Sequence, residues 1–157
     1  MADRKEVVLE KLERVRASLL DLVGTIEDEQ WERKVFSEEE AWRVSDLLRH
    51  VVSAEHSMTR LIENIRDGGE GASPDFDLMR WNASRVQKAI QKSVSDLTAD
   101  LAKNRTYLLG VIQNLSEDDL DKKGRHGSMR IMSIEEILHL IADHEEHHMG
   151  DIQQAIS

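Results

Sequence analysis

Four stretches of the chain carry apolar residues at alternating spacings of three and four, with polar segments between them. That period belongs to amphipathic helices with one buried stripe each, and four of them predict a bundle. Over residues 2–26 the stripe is Val8, Leu12, Val15, Leu19, Leu22 and Ile26. A second helix, starting at Trp42 or Ser45 and ending at Arg66, lines up Leu47, Val51, Ala54, Met58, Leu61 and Ile65. The third reads as one long helix over 78–115, through Val86, Ile90, Leu97, Leu101, Asn104, Leu108, Val111 and Leu115. Asn104 is a polar exception that either sets register or is partly exposed. The last helix, over 132–156, opens on Ser133 and Glu136 at capping-box spacing and continues through Ile134, Leu138, Ile141, Ile152 and Ile156. No stretch alternates at period two, so the expected fold is all-α: an antiparallel four-helix bundle with a long connection before its last helix.

The connections add detail. Residues 27–41 hold Trp31 and Phe36, expected as lids over one end of the core, and Ser37 with Glu40 suits a short capped turn. Residues 67–77, DGGEGASPDFD, contain three glycines and the only proline, which predicts a mobile surface loop. Residues 116–131 read as one capped turn ending at Gly124 and an irregular return. IEDEQW at 26–31 is echoed by LSEDDL at 115–120, and each closes a long helix, a weak sign of two related helix pairs.

Composition narrows the function. A chain of 157 residues suits a single domain over 1–157. Its net charge of −10 lacks the basic footprint of a nucleic-acid binder and would be repelled by an anionic membrane. No run of 18 apolar residues and no apolar leader stands out, so a cytoplasmic protein is expected. The chain has no cysteine, so its chemistry falls to histidine and carboxylate.

His144 and His148 stand one turn apart on the last helix. At 100° per residue, His148 falls about 40° and His144 about 80° from the centre of the stripe, and His139 and His147 fall on the far side. Two imidazoles one turn apart are what a metal ion needs from one helix. His144-Glu145-Glu146-His147-His148 also satisfies H-E-x-x-H, the zinc-protease motif. That reading needs a third ligand downstream, and the nine residues after His148 include neither His nor Glu. A third ligand therefore comes from upstream. His50 lies about 60° from the centre of its stripe, facing inward, whereas His126 sits in a loop and His56 points to solvent. On spacing alone, a three-histidine metal site and a set of solvated surface histidines stand level.

Several segments resemble the DinB/YfiT-like superfamily of metal-binding four-helix bundles. They are Trp42-Arg-Val-Ser-Asp-Leu-Leu-Arg-His50, Trp81-Asn82, and above all His144-x-x-x-His148 followed by Gly150-Asp151-Ile152. Asp151 stands where the family usually has Gln. The resemblance implies that His50, His144 and His148 hold one divalent ion, with nickel, zinc and iron all suitable. It also implies a homodimer, and for some relatives a thiol S-transferase or isomerase activity using bacillithiol, mycothiol or glutathione.

Two functions follow. One is a metal-dependent thiol transferase acting on a small-molecule electrophile. With no cysteine in the chain, its nucleophile is a low-molecular-weight thiol, with the metal lowering the thiol's pKa. The other is a metal-binding or stress-response protein without turnover. Glu145, near the centre of the stripe, is a candidate partner for a ligand histidine or a base, or else an exposed residue at the bundle's end. Since ligation requires neutral histidines, metal should be lost below roughly pH 6 if their pKa values are unperturbed.

Overall fold

The computed structural model describes residues 3–36 and 41–157. Four long helices form the bundle: α1 (Arg4–Thr25), α3 (Val44–Arg66), α5 (Val94–Gln113) and α7 (Ile134–Ile156). Two four-residue helices, α2 (Asp28–Trp31) and α6 (Glu117–Leu120), follow α1 and α5, on the two acidic segments that echo each other in the sequence. A short helix α4 (Leu78–Lys88) precedes α5, and strands β1 (Lys123–Arg125) and β2 (Ile131–Ser133) form a small antiparallel hairpin before α7. The expected start at Ala2 and the turn between Ser37 and Glu40 lie outside the described residues.

The seams bury as their period requires. Leu12, Leu19, Leu47, Ile65, Leu97, Leu101, Leu108, Ile134, Leu138 and Ile152 are all buried. Each contributes roughly 1.5–3 kcal/mol on leaving water. Ser133 caps α7 as expected: its Oγ accepts from the Glu136 N–H at 3.1 Å, and Glu136 Oε1 accepts from the Ser133 N–H at 3.0 Å. Asn104 is half-buried and donates to the Val52 carbonyl at 3.0 Å, tying α5 to α3. Trp31 is buried in the core, but Phe36 is 86% exposed and is no lid.

The predicted long helix over 78–115 is two helices. Ser93 ends the continuity by capping α5: its Oγ accepts from the Asp96 N–H at 3.0 Å and Asp96 accepts from the Ser93 N–H at 3.1 Å. The carbonyls released at the break are taken by Arg49 of α3, which bonds Ala89 O at 3.1 Å, Ile90 O at 3.2 Å and Lys92 O at 3.3 Å. Ile90, expected in the stripe, is consequently exposed.

This break sets the topology. The chain runs back along α3 as α4, reverses near Arg49, and then ascends as α5 in the direction of α3. Contacts mark the direction: Arg49 touches the α4–α5 break, Arg105 meets Glu55, and Lys122 reaches the Arg66 carbonyl. Likewise Arg4–Glu135, Lys11–Asp143 and Arg14–Glu146 advance together, so α1 and α7 are parallel. The antiparallel neighbours are α3 with α7 and α1 with α5. The connections through α2 and through α6 with the hairpin each cross the bundle diagonally.

The segment 67–77, expected as a mobile loop, is fastened to the hairpin. Ala72 N–H donates to Arg125 O at 2.7 Å and Arg125 N–H donates to Glu70 O at 2.8 Å. Gly71 allows the approach: its φ is +88°, and a β-carbon there would collide with the Arg125 backbone.

Candidate metal centre

Because α3 and α7 are neighbours, His50 meets the pair on α7. His50 Nε2 stands 2.9 Å from His144 Nε2, and His148 Nε2 stands 3.1 Å from the same atom. His50 and His148 are buried and His144 is half-buried. The Trp42 ring packs at 5.1 Å from the His50 ring and fixes one side of it. His148 Nδ1 donates to Asp151 Oδ2 at 3.1 Å. That bond puts the proton on Nδ1 and leaves Nε2 as the lone pair facing the cluster, the usual device for orienting a ligand histidine. Asp151 thus acts one turn below the ring it orients.

The electrostatics keep two of the rings, those of His50 and His144, uncharged. Burial, and secondarily the nearby His148, pushes His50 down to about 4. Burial, then His148 and His50, holds His144 well below the usual histidine range. Neutral imidazoles are the ligating form. The fit to an ion is geometric: two nitrogens about 2.0–2.1 Å from one divalent cation stand about 2.9–3.4 Å apart for ligand angles between 90° and tetrahedral. Three ring nitrogens this close share protons poorly and share a cation well.

The other histidines stay out of the cluster. His147 has an exposed ring, with its Nε2 3.7 Å from Asp151. His139 lies across the helix beside Lys11, 3.4 Å from its Nζ. His56, expected in solvent, is half-buried against Tyr107. His126 is absent from the triad but lines the cavity described below, and its Nδ1 accepts from the Ser128 N–H at 3.1 Å.

Glu145 is not an exposed end residue. It is 2% exposed, and its carboxylate is gripped by Arg16 through Nε at 3.0 Å and Nη2 at 2.9 Å. Arg16 also bonds Glu55 and donates to Leu101 O at 3.0 Å. Arg105 closes the network on Glu55 at 2.9 Å and on Leu12 O at 3.0 Å. Two arginines and two glutamates from all four long helices thus neutralise one another inside the bundle. The glutamate that H-E-x-x-H would use is consumed here, which removes the protease reading. Arg16, Glu55 and Arg105 escaped the sequence reading because charged residues beside a seam are normally placed outside it.

A cavity of about 410 Å³ opens from His50 and His144. Helix α3 lines it with the seam residues Ala54, Met58 and Leu61, of which Ala54 and Leu61 are left half-buried by the opening. Phe76 comes from the segment leading into α4, Leu78, Trp81 and Asn82 from α4 itself, Leu140 from α7, and His126 with Gly127 from the hairpin turn. The volume lies within the range of small-molecule sites, and the wall is apolar with a few polar groups.

Similar folds occur among solved structures. YfiT from Bacillus subtilis, described as a probable metal-dependent hydrolase with an unusual four-helix bundle topology, superposes with a TM-score of 0.79 at 19% identity, covering 96% of this chain and 85% of that one. The colibactin self-resistance protein ClbS, in complex with double-stranded DNA, gives 0.77 at 14% identity over 96% and 94%. A mycothiol-dependent maleylpyruvate isomerase gives 0.73 at 15% identity, over 97% of this chain and 63% of that one. No curated protein matches the sequence. The DinB superfamily model matches residues 11–152, nearly the whole bundle with all three clustered histidines, and the chain belongs to that superfamily.

Proposed function

We infer that the chain binds one divalent metal ion through His50, His144 and His148, nickel, zinc or iron, and uses it on a small molecule held in the adjoining cavity. The observation that carries this reading is the convergence of three Nε2 atoms, two of the contacts being 2.9 and 3.1 Å, at the end of a cavity of about 410 Å³. A purely structural site would be closed by four protein ligands, whereas three histidines beside a cavity leave a position for an exogenous ligand. An ion there supplies a Lewis acid that lowers the pKa of a thiol or water.

The chain's own residues do the rest. Asp151 holds the His148 tautomer, Trp42 packs against His50, and the apolar wall keeps bulk water from the reacting groups. With no cysteine in the chain, a low-molecular-weight thiol is the nucleophile we favour, in an S-transferase acting on an electrophile. Metal-dependent hydrolysis and thiol-dependent isomerisation are the descriptions carried by two neighbours of this fold. The acidic balance of −10 favours a small-molecule partner over a nucleic acid. No helix of the described residues is long and apolar enough to cross a membrane.

The test is elemental analysis of protein purified without a histidine tag, followed by thermal shift with bacillithiol, mycothiol and glutathione. About one ion per chain and selective stabilisation of the metal-loaded form by one thiol are expected. Metal without any thiol response would favour the non-catalytic metal-binding alternative, and absence of metal would end both.

A further inference from the structure

At the far side of the cavity from the histidines stands Arg60, ten residues beyond His50 on the same helix and so about 15 Å along its axis. Arg60 has no carboxylate within ion-pair distance among the described residues, in a chain with ten more acidic than basic side chains. Arg85, from α4, lies with its guanidinium 5.6 Å from the centre of the Trp81 ring that lines the same cavity. Its Nε is buried and has no hydrogen-bond partner, the single such side-chain atom among the described residues. Both cations act on one neighbour: burial, then Arg60 and Arg85, lowers the pKa of His56. Arg60 is exposed at the edge of the cavity and Arg85 is half-buried behind Trp81, so an entering anion would meet the charge of the first and the unsatisfied donor group of the second. By contrast Arg16 and Arg105, inside the bundle, are both paired with carboxylates.

We propose that the cavity takes an elongated anionic molecule, apolar through its middle, with one end at the three histidines and its carboxylate, sulfonate or phosphate on Arg60 and Arg85. Ala54, Met58, Leu61 and Trp81 supply the apolar middle, and Arg60 at the mouth the anchoring charge. The proposal rests on the metal reading for the role of the histidine end only; the anionic end stands on the arginines alone. It names the substrate class for the site: an amphiphilic acid, with its reactive group at the end remote from the charge.

The experiment is a tryptophan-fluorescence titration of metal-stripped protein with unbranched alkanoates of increasing chain length and their methyl esters, on the unaltered chain and on Arg60→Gln, Arg85→Gln and His144→Ala. Affinity should rise with chain length. The acid should bind about tenfold more tightly than its ester, the scale of one charge-assisted hydrogen bond. Arg60→Gln should abolish that preference while leaving ester binding unchanged, Arg85→Gln should reduce it, and added salt should weaken it. His144→Ala should leave it intact. An acid preference that survives Arg60→Gln, or that disappears in His144→Ala, places the anion at the histidines and overturns the proposal, as does the absence of binding by any member of the series. Failure of the metal reading shows separately, as no metal in untagged protein beside an intact acid preference.

Discussion

The bundle holds two polar clusters on consecutive residues of α7, and they are opposites. Glu145 belongs to a closed network in which Arg16 and Arg105 satisfy Glu55 and Glu145 and spend their remaining donors on backbone carbonyls. His144 belongs to an open cluster of imidazole rings whose nitrogens face one another beside a cavity. The first has charges of opposite sign in equal number and needs nothing from outside. The second gathers three imidazoles that could hold a metal ion, a counterpart the protein itself does not supply. Burial alone therefore does not mark a functional group; what distinguishes the two is whether the protein itself supplies the counterpart.

The sharpest break of this contrast is Arg16→Met. It strips the main cation from two buried carboxylates, and a loss of about 3–5 kcal/mol is expected in urea unfolding. If stability holds, the network is not the electrostatic unit described. Single changes of His50, His144 or His148 to alanine should instead leave the far-ultraviolet dichroism helical and remove most of the metal, at least about a hundredfold in affinity, because two imidazoles leave the ion largely to water. His139→Ala and His147→Ala should keep it. Metal content per chain decides, and loss in His147→Ala with retention in His50→Ala would sink the triad.

Asp151→Asn tests the orienting bond to His148 and should cost about 10–100-fold in metal affinity. Isothermal titration on the metal-free variant reads this directly, and an unchanged affinity would show that the tautomer is set otherwise.

The smallest effect concerns pH. His50 is held down to about 4 in the folded chain by burial and His148, against an ordinary value near 6.5. A depressed value means that the unfolded chain takes up the proton first. The associated stability of the metal-free protein is therefore complete above about pH 6.5 and is lost as pH falls toward 4. For the same reason protons compete with the metal later than unperturbed histidines would. The metal-dependent melting shift should persist at pH 5.5 and collapse closer to 4. A shift that vanishes between pH 7 and 6 would show the rings to be solvated.

Much of this was legible in the sequence. The seams located the four long helices, Ser133 and Glu136 marked the start of α7, and helical angles placed His50, His144 and His148 on inward faces. Periodicity failed where a local bond or a charge pair decided the outcome. The break after Lys88 depends on the Ser93–Asp96 cap and on Arg49 arriving from another helix, and an uninterrupted apolar stripe conceals both. Arg16 and Glu55 are adjacent to seam residues and polar, so a pattern reading turns them outward; only a partner of opposite charge from a distant segment makes their burial affordable. The hairpin, three residues on each strand, is too short to alternate visibly.

The junction between residues 70–72 and Arg125 carries a consequence for how such a protein can diverge. The chamber's outer wall is made by two surface connections clasped through backbone groups, while its floor is carried by helices committed to the seams. Backbone bonding constrains sequence weakly, apart from Gly71. A lineage can thus rewrite the wall, in length and in chemistry, without touching either the packing that keeps the helices together or the histidines at the floor. Change can then fall on two separable parts, a helical floor fixed by packing and an editable vestibule, so that chains sharing this bundle can come to receive different molecules.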